Sequence, residues 1–285
     1  MTEVKPVIRF QIRDSYFRPA DTFLSGQLFR CQQGSGDRWL VKAGEEIAYL
    51  LPLEGGGYEV YCSSESYFRR YLGLSYNYAE IHTLLSLNPF MTRVLAFGKG
   101  LHMLNQEPFE TLVTQLIYVG CGRARAEAAV EKLCQDFGKK CEFSGQKFFA
   151  FPTPAQLGQA SEEYLLELGL DKRAKVVRSL CAQLNEGSLS LAEIGEHSDR
   201  RARRLLCKIP GLYNRVVDRT LIFGFQKFRT FSADAWTENV FHREFNTGAE
   251  TARDVCAYFV KTLGNLAGFA YLFLLNYKRN HDLLE

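Results

Sequence analysis
The stretch "LLCKIPGLYNRVVDRTLIFGF", Leu205–Phe225, decides the fold of this 285-residue chain. It reads as two short helices folded around Pro210-Gly211, a turn signal, with Arg215 at the start of the second helix. Such a turn leaves the first backbone N–H groups of the second helix without intrahelical partners, and those groups suit a phosphate oxygen. The surroundings are basic. Lys172, Arg173, Lys175 and Arg178 lie close together, and Arg200, Arg201, Arg203, Arg204 and Lys208 lead into the turn. A charge run alone is a solvated helix face. A basic strip that ends at an exposed helix N-terminus points instead to a nucleic-acid backbone.

Composition narrows the class. With 46% hydrophobic residues the chain can bury a sizeable core, and its length suits two packed units. The formal net charge is only +3, so attraction to a polyanion depends on local clustering. The N-terminal "MTEVKPVIRFQIRD" lacks the apolar run of a secretory signal, and no stretch reads as long and uncharged enough to span a bilayer. A soluble intracellular monomer is expected, cytoplasmic or associated with the nucleoid, with no membrane partner. The eight cysteines contain no Cys-x-x-Cys pair and the five histidines are scattered. Reduced core thiols are expected, with no metal and no other cofactor.

The chain has two textures. From Val4 to about Cys62 the pattern is strand-like: "VIRFQIRD" alternates, and "EEIAYLLPLEGGGYEVYC" is two β-rich runs around Gly55-Gly56-Gly57, a hairpin signal. Helical periods take over from Ser66, with Asn88-Pro89 as a stop signal, and past about Leu104 nearly everything reads as helix. "EPFETLVTQLIYVG" is interrupted by Gly120-Cys121-Gly122, and "RARAEAAVEKLCQDFG" is closed by Gly138 at a C-cap. The expected fold class is α+β: an antiparallel N-terminal sheet unit with flanking helices over residues 1–103, then an all-helical unit over 104–285. The helix-hairpin-helix occupies about 199–225 and an Asp-containing loop about 226–236.

The segment "CKIPGLYNRVVDRTLIFGFQKFRTFSADAW" resembles the helix-hairpin-helix, Gly/Pro-rich loop and aspartate of the DNA glycosylase superfamily, with Asp234 at the aspartate. "FLSGQLFR" at Phe23–Arg30 resembles the N-terminal sheet signature of 8-oxoguanine DNA glycosylases, "NQEPFETLVTQLI" the helix that follows it, and "LGLDKRAK" a further family segment. Taken in order, these segments resemble that family over nearly the whole chain. The resemblance implies double-stranded DNA as partner, lying across the junction of the two units, and base-excision repair by base flipping.

The departures from the family bear on activity. There the hairpin reads Pro-Gly-apolar-Gly, followed two residues later by a lysine that attacks the sugar C1′; here Tyr213 replaces the second glycine and Arg215 the lysine. A guanidinium stays charged and has no free lone pair, so Arg215 is expected to contact phosphate or form a salt bridge and not to act as nucleophile. Gly120 and Gly122 replace the asparagine-rich turn that fills the gap left by a flipped base. Arg125 matches an arginine that contacts the orphaned base, and Gly26 a glycine whose carbonyl meets the damaged purine. The resemblance also places Tyr271 where a glutamine reads the guanine edge, Leu275 where a phenylalanine stacks, and Arg219 where a small residue lines the pocket. Gly120, Gly122, Arg125, Lys172, Arg173, Arg203, Arg204, Gly211 and Tyr213 are expected to meet DNA.

Asp234 suits a helix N-cap ahead of "AWTENVFHREF", which accounts for it without chemistry. In the family the same aspartate also stabilises the cationic sugar or orients a water, and superfamily members without lyase activity work with the aspartate alone. The expectation is a divergent DNA-binding family member without AP lyase activity, in which Asp234 would activate water if a base is released. The alternative is a non-catalytic DNA-binding or damage-sensing module.

Overall fold
The computed structural model describes residues 3–245 and 251–281. Its strands are β1 (Glu3–Val4), β2 (Ile8–Ile12), β3 (Cys31–Gln33), β4 (Trp39–Ala43), β5 (Glu46–Pro52), β6 (Tyr58–Cys62), β7 (Lys140–Phe143) and β8 (Gln146–Phe149). Five of them form one antiparallel sheet in the order β2-β6-β5-β4-β3. Alternation in β2 puts Phe10 and Ile12 on the buried face, and the glycine-rich loop closes the β5–β6 hairpin with Pro52 opposite Tyr58. That hairpin lies where the sequence pattern puts it.

The C-terminal part is helical with one departure. β7 and β8 form a hairpin whose register pairs Phe143 with Gln146, and β1 adds to it in parallel. Its signal is short: "KCEFSGQKFF" alternates around Ser144-Gly145, both in the left-handed region, as a two-residue hairpin turn requires. A four-residue strand is easily lost between long helical periods. Ile47 on β5 packs with Cys141, Phe143 and Phe148, so this hairpin joins the N-terminal sheet to the helical part.

Packing also crosses the expected boundary at 103/104. Helices Tyr78–Leu85 and Pro89–Ala96 share a core with the helices of the C-terminal third, through side chains such as Phe90, Val94, Phe241, Phe259 and Phe273. Within Ala252–Asn280 an 18-residue window has a mean hydropathy of 1.3, and by length and composition this run could cross a membrane, contrary to the reading that no stretch is long and uncharged enough. Its window is 56% buried within the protein, and its apolar side chains line that shared core.

Polar ties place the site. Gln27 donates to the His102 carbonyl at 2.8 Å and accepts the Leu104 N–H at 2.9 Å, which fixes the Gly26 turn. The buried Arg30 guanidinium meets Glu110 at 3.3 Å, and the other Glu110 oxygen accepts the Gly44 N–H at 2.8 Å. A buried ion pair with a further hydrogen bond costs little only where its geometry is held, so it orients helix Pro108–Tyr118 against the sheet.

Candidate DNA interface and base pocket
The hairpin forms as read. Its first helix, Asp199–Leu206, and second helix, Asn214–Phe223, flank a turn in which Gly211 has φ of 84°, a conformation that favours glycine. Tyr213 stands at the N-cap with no side-chain cap, so the first-turn N–H groups keep their positive end toward solvent. Arg204 is exposed. Arg203 is half-buried and donates to Asp218 at 2.7 Å, so part of its charge is spent across the hairpin. Arg215 is exposed on the first turn of the second helix, and among the described residues it has no carboxylate partner within 4 Å.

One turn further, Arg219 is sealed. It is 4% exposed, donates from Nε to the Tyr271 hydroxyl at 2.6 Å and from Nη1 to Gln115 Oε1 at 3.1 Å, and lies over the Tyr118 ring at 5.4 Å. Burial raises the Tyr271 pKa although Arg219 pulls the other way, so the hydroxyl is neutral and accepts from the guanidinium. Arg219 and Tyr271 are thus joined directly at the expected base pocket. Leu275 follows one turn along helix Ala267–His281, and a Cβ on Gly26, whose φ is 99°, would stand 3.6 Å from Leu275 and 3.4 Å from Arg279. The resemblance therefore brings Gly26, Arg219, Tyr271 and Leu275 to one place.

Asp234 caps helix Ala235–Glu244. Its Oδ1 accepts from the Thr237 N–H and hydroxyl, each at 2.9 Å, and its Oδ2 from Lys278 Nζ at 3.1 Å. Burial would raise its pKa, but the Thr237 N–H and Lys278 outweigh it and hold the carboxyl below the usual carboxylate range. It is an ionised, neutralised cap. Lys278 was not among the expected residues, although its spacing from Tyr271 and Leu275 along one helix face could have found it. Arg279 and Gln115 were missed too; Arg279 Nη1 and Gln115 Nε2 are buried without a hydrogen-bond partner. Burial, and then the neighbouring Arg123, lowers the Arg279 pKa.

The expected DNA contact at Arg173 is corrected. Arg173 is 3% exposed and donates to the carbonyls of Leu116 at 2.9 Å, Gly169 at 2.9 Å and Leu170 at 2.8 Å, and also pairs with Asp171. It closes the C-terminal end of the helix that carries Gln115 and Tyr118, where orphan carbonyls need donors. A side chain on Gly120 would overlap its guanidinium, so Gly120 serves close packing. Gly122, with open space around it, caps helix Arg123–Phe137, and Arg125 and Lys172 are exposed.

Two family models cover most of the chain. Residues 121–263 match the HhH-GPD superfamily base excision DNA repair protein model, and residues 9–112 match the 8-oxoguanine DNA glycosylase N-terminal domain. The fold and hairpin thus define a helix-hairpin-helix protein of base excision DNA repair. More narrowly, the chain belongs to the 8-oxoguanine DNA glycosylase family. It is 24% identical over 237 residues to a probable N-glycosylase/DNA lyase of Methanothermobacter thermautotrophicus, covering 74% of each chain. Its structure is similar to that of the Clostridium acetobutylicum 8-oxoguanine glycosylase/lyase in complex with double-stranded DNA containing cytosine opposite 8-oxoguanine. The TM-score is 0.88 at 25% identity, covering 96% of this chain and 98% of that one. The fold is also shared, with a TM-score of 0.73 at 20% identity, by a 3-methyladenine DNA-glycosylase from Archaeoglobus fulgidus, covering 94% and 98%.

Proposed function
We propose that this family member docks as a monomer on double-stranded DNA inside the cell through the Gly211 hairpin, with Tyr213, Arg203 and Arg204 on the phosphates, and forms no Schiff base at the hairpin. Lys172, Gly122 and Arg125, all exposed, are further contacts on this reading. The observation that carries this reading is the side chain of Arg215: at the exposed start of the second hairpin helix stands a guanidinium, which has no lone pair with which to attack a sugar carbon. A phosphate contact is the chemistry open to it. The Arg219–Tyr271 hydrogen bond supports the same reading, because the family resemblance puts both side chains in the lining of the base pocket, where their direct contact leaves a flipped base less space.

Hydrolytic base release without strand cleavage is the second reading, and the ionised carboxylate of Asp234 favours it. In that mechanism the carboxylate offsets the developing positive charge on the sugar or orients the attacking water. Lys278 must then swing away from Asp234, since a paired ammonium cancels the charge on which the stabilisation depends.

One experiment separates these. Incubation with an 8-oxoguanine:C duplex and with an abasic duplex, with and without borohydride, should give salt-sensitive binding, no trapped adduct and no released base. Base release with an intact strand would establish the hydrolytic reading. A trapped adduct mapped to Lys278 would overturn the loss of lyase activity. Absence of duplex binding at low salt would overturn the docking itself.

A further inference from the structure
We propose that a cavity beside the hairpin binds a nucleotide carrying a terminal phosphate. The cavity, of about 760 Å³, lies between the two hairpin helices, the loop around Phe231 and helix Ala252–Leu263. That volume is within the range of small-ligand sites, about 300–1,000 Å³. It is separate from the pocket of Arg219, Tyr271 and Leu275, none of which lines it.

Its charge is unbalanced. Arg200, Arg215, Arg229 and Arg253 line it, and among the described residues none of their guanidinium groups has a carboxylate within 4 Å. Arg203 lines it as well, and the two carboxylates in its wall are held there: Asp218 accepts from Arg203 at 2.7 Å, and Asp199 accepts the Arg229 backbone N–H at 2.9 Å, so five guanidinium groups stand against two carboxylates. Apart from the Arg203–Asp218 pair, four guanidinium groups face the single carboxylate of Asp199 around one concavity, an excess of positive charge that an anion relieves. A phosphodiester in a DNA backbone brings one negative charge, whereas a terminal phosphate brings close to two, with three acceptor oxygens that match the planar fork of arginine.

The floor is of another kind. Ala257 is exposed and Cys256 and Val260 are half-buried, and the buried Phe231 belongs to the same wall. A rim of guanidinium groups over an apolar floor suits a ligand with a multiply charged end and a flat apolar body, which describes a nucleotide better than an inorganic anion. The terminal phosphate can come from a free nucleotide or from the 5′-phosphorylated end of a nicked strand.

The test uses the full chain and four probes: ATP, pyrophosphate, and nicked duplexes with a 5′-phosphate or a 5′-hydroxyl at the nick. Saturable ATP binding identifies the free nucleotide as source, and a preference for the 5′-phosphate nick identifies the strand end. In either case Arg229→Ala with Arg253→Ala should weaken that binding about tenfold or more. Ala257→Trp, which keeps every charge and fills the floor, should do the same. Binding of an intact duplex, assigned above to the hairpin, should change less than about twofold in these variants, so failure of the cavity and failure of the docking reading are told apart. Binding of neither ATP nor the phosphorylated nick in preference to the hydroxyl nick overturns the proposal. So does pyrophosphate binding as tight as ATP, or an equal loss of intact-duplex binding in the variants.

Discussion
Arg215 and Arg219 stand one turn apart on the same helix and meet opposite fates. The first is exposed at the hairpin with no carboxylate partner among the described residues, while the second is sealed between Tyr271, Gln115 and Tyr118. One leaves its charge facing solvent; the other is held inside the protein by its hydrogen bonds to Tyr271 and Gln115. The difference teaches that docking and chemistry are separable in this fold. The hairpin needs only a turn, a helix start and surface charge, whereas the pocket needs an empty volume with a defined lining.

The frame of the pocket gives the largest expected effect. Arg173→Ala should cost about 3–4 kcal/mol in urea denaturation, because it leaves several buried carbonyls without donors. Lys172→Ala, its exposed neighbour, should stay within about 0.5 kcal/mol. If the two variants melt alike, the assignment of Arg173 to the protein's interior is mistaken. Gly120→Asn should destabilise for a related reason, since Arg173 must move, so an asparagine there is not a route to restoring the turn that fills a flipped-base gap.

The seal itself comes next. Arg219→Ala should cost about 2–3 kcal/mol by opening a cavity and removing the donor to the Gln115 carbonyl and to the Tyr271 hydroxyl. Combining it with Tyr271→Phe should cost less than the sum of the single changes, as expected for groups in direct contact. The same geometry bears on activity: if Arg219 and Tyr271 stand in the base pocket as proposed, Arg215→Lys alone should leave 8-oxoguanine release at background in single-turnover assays. Robust release by that single variant would show that the pocket is open in solution.

Asp234 lies between the two regions and should have a smaller effect. Asp234→Asn retains a capping oxygen but loses the ion pair with Lys278, for an expected cost of about 1 kcal/mol at neutral pH. The folded-state pKa lies below the unfolded one, so this stabilisation is present above the ordinary carboxylate range and disappears as pH falls through the depressed value. Stability measured against pH should therefore converge for the two proteins in acid, and a constant gap would sink the linkage.

The hairpin surface gives the smallest stability change and the clearest binding change. Arg204→Ala should alter stability by less than about 0.5 kcal/mol, lower duplex affinity by about three- to tenfold at low salt, and reduce the slope of log affinity against log salt by about one. An unchanged slope would remove Arg204 from the phosphate contacts.

Local pattern was sufficient for the elements whose signal is local. The alternation of "VIRFQIRD", the glycine-rich hairpin, the Pro210-Gly211 turn and the Asp234 cap each follow from a few neighbouring residues, and each forms where the pattern puts it. Residue matching also brought Gly26, Arg219, Tyr271 and Leu275 together, because helix periodicity and family spacing preserve which positions face a common site. The short β7–β8 hairpin escaped, since four-residue strands carry little periodic signal and this one gains its partner from β1, far away in the chain.

What the sequence by itself determined was the family, the hairpin and the absence of an amine at position 215. Only the tertiary structure decided how each charge is used. Within one basic run, Lys172 is exposed and Arg173 is buried; in another, Arg203 is bound to Asp218 while Arg204 is exposed. The physical reason is that a guanidinium's role depends on the acceptors within about 3 Å of it. In a folded chain such acceptors come from distant segments, Gln115 and Tyr271 for Arg219 and Leu116 and Ile117 for Arg173, and so does Lys278, the donor to the carboxylate of Asp234. Sequence order does not record those distances, and packing creates them.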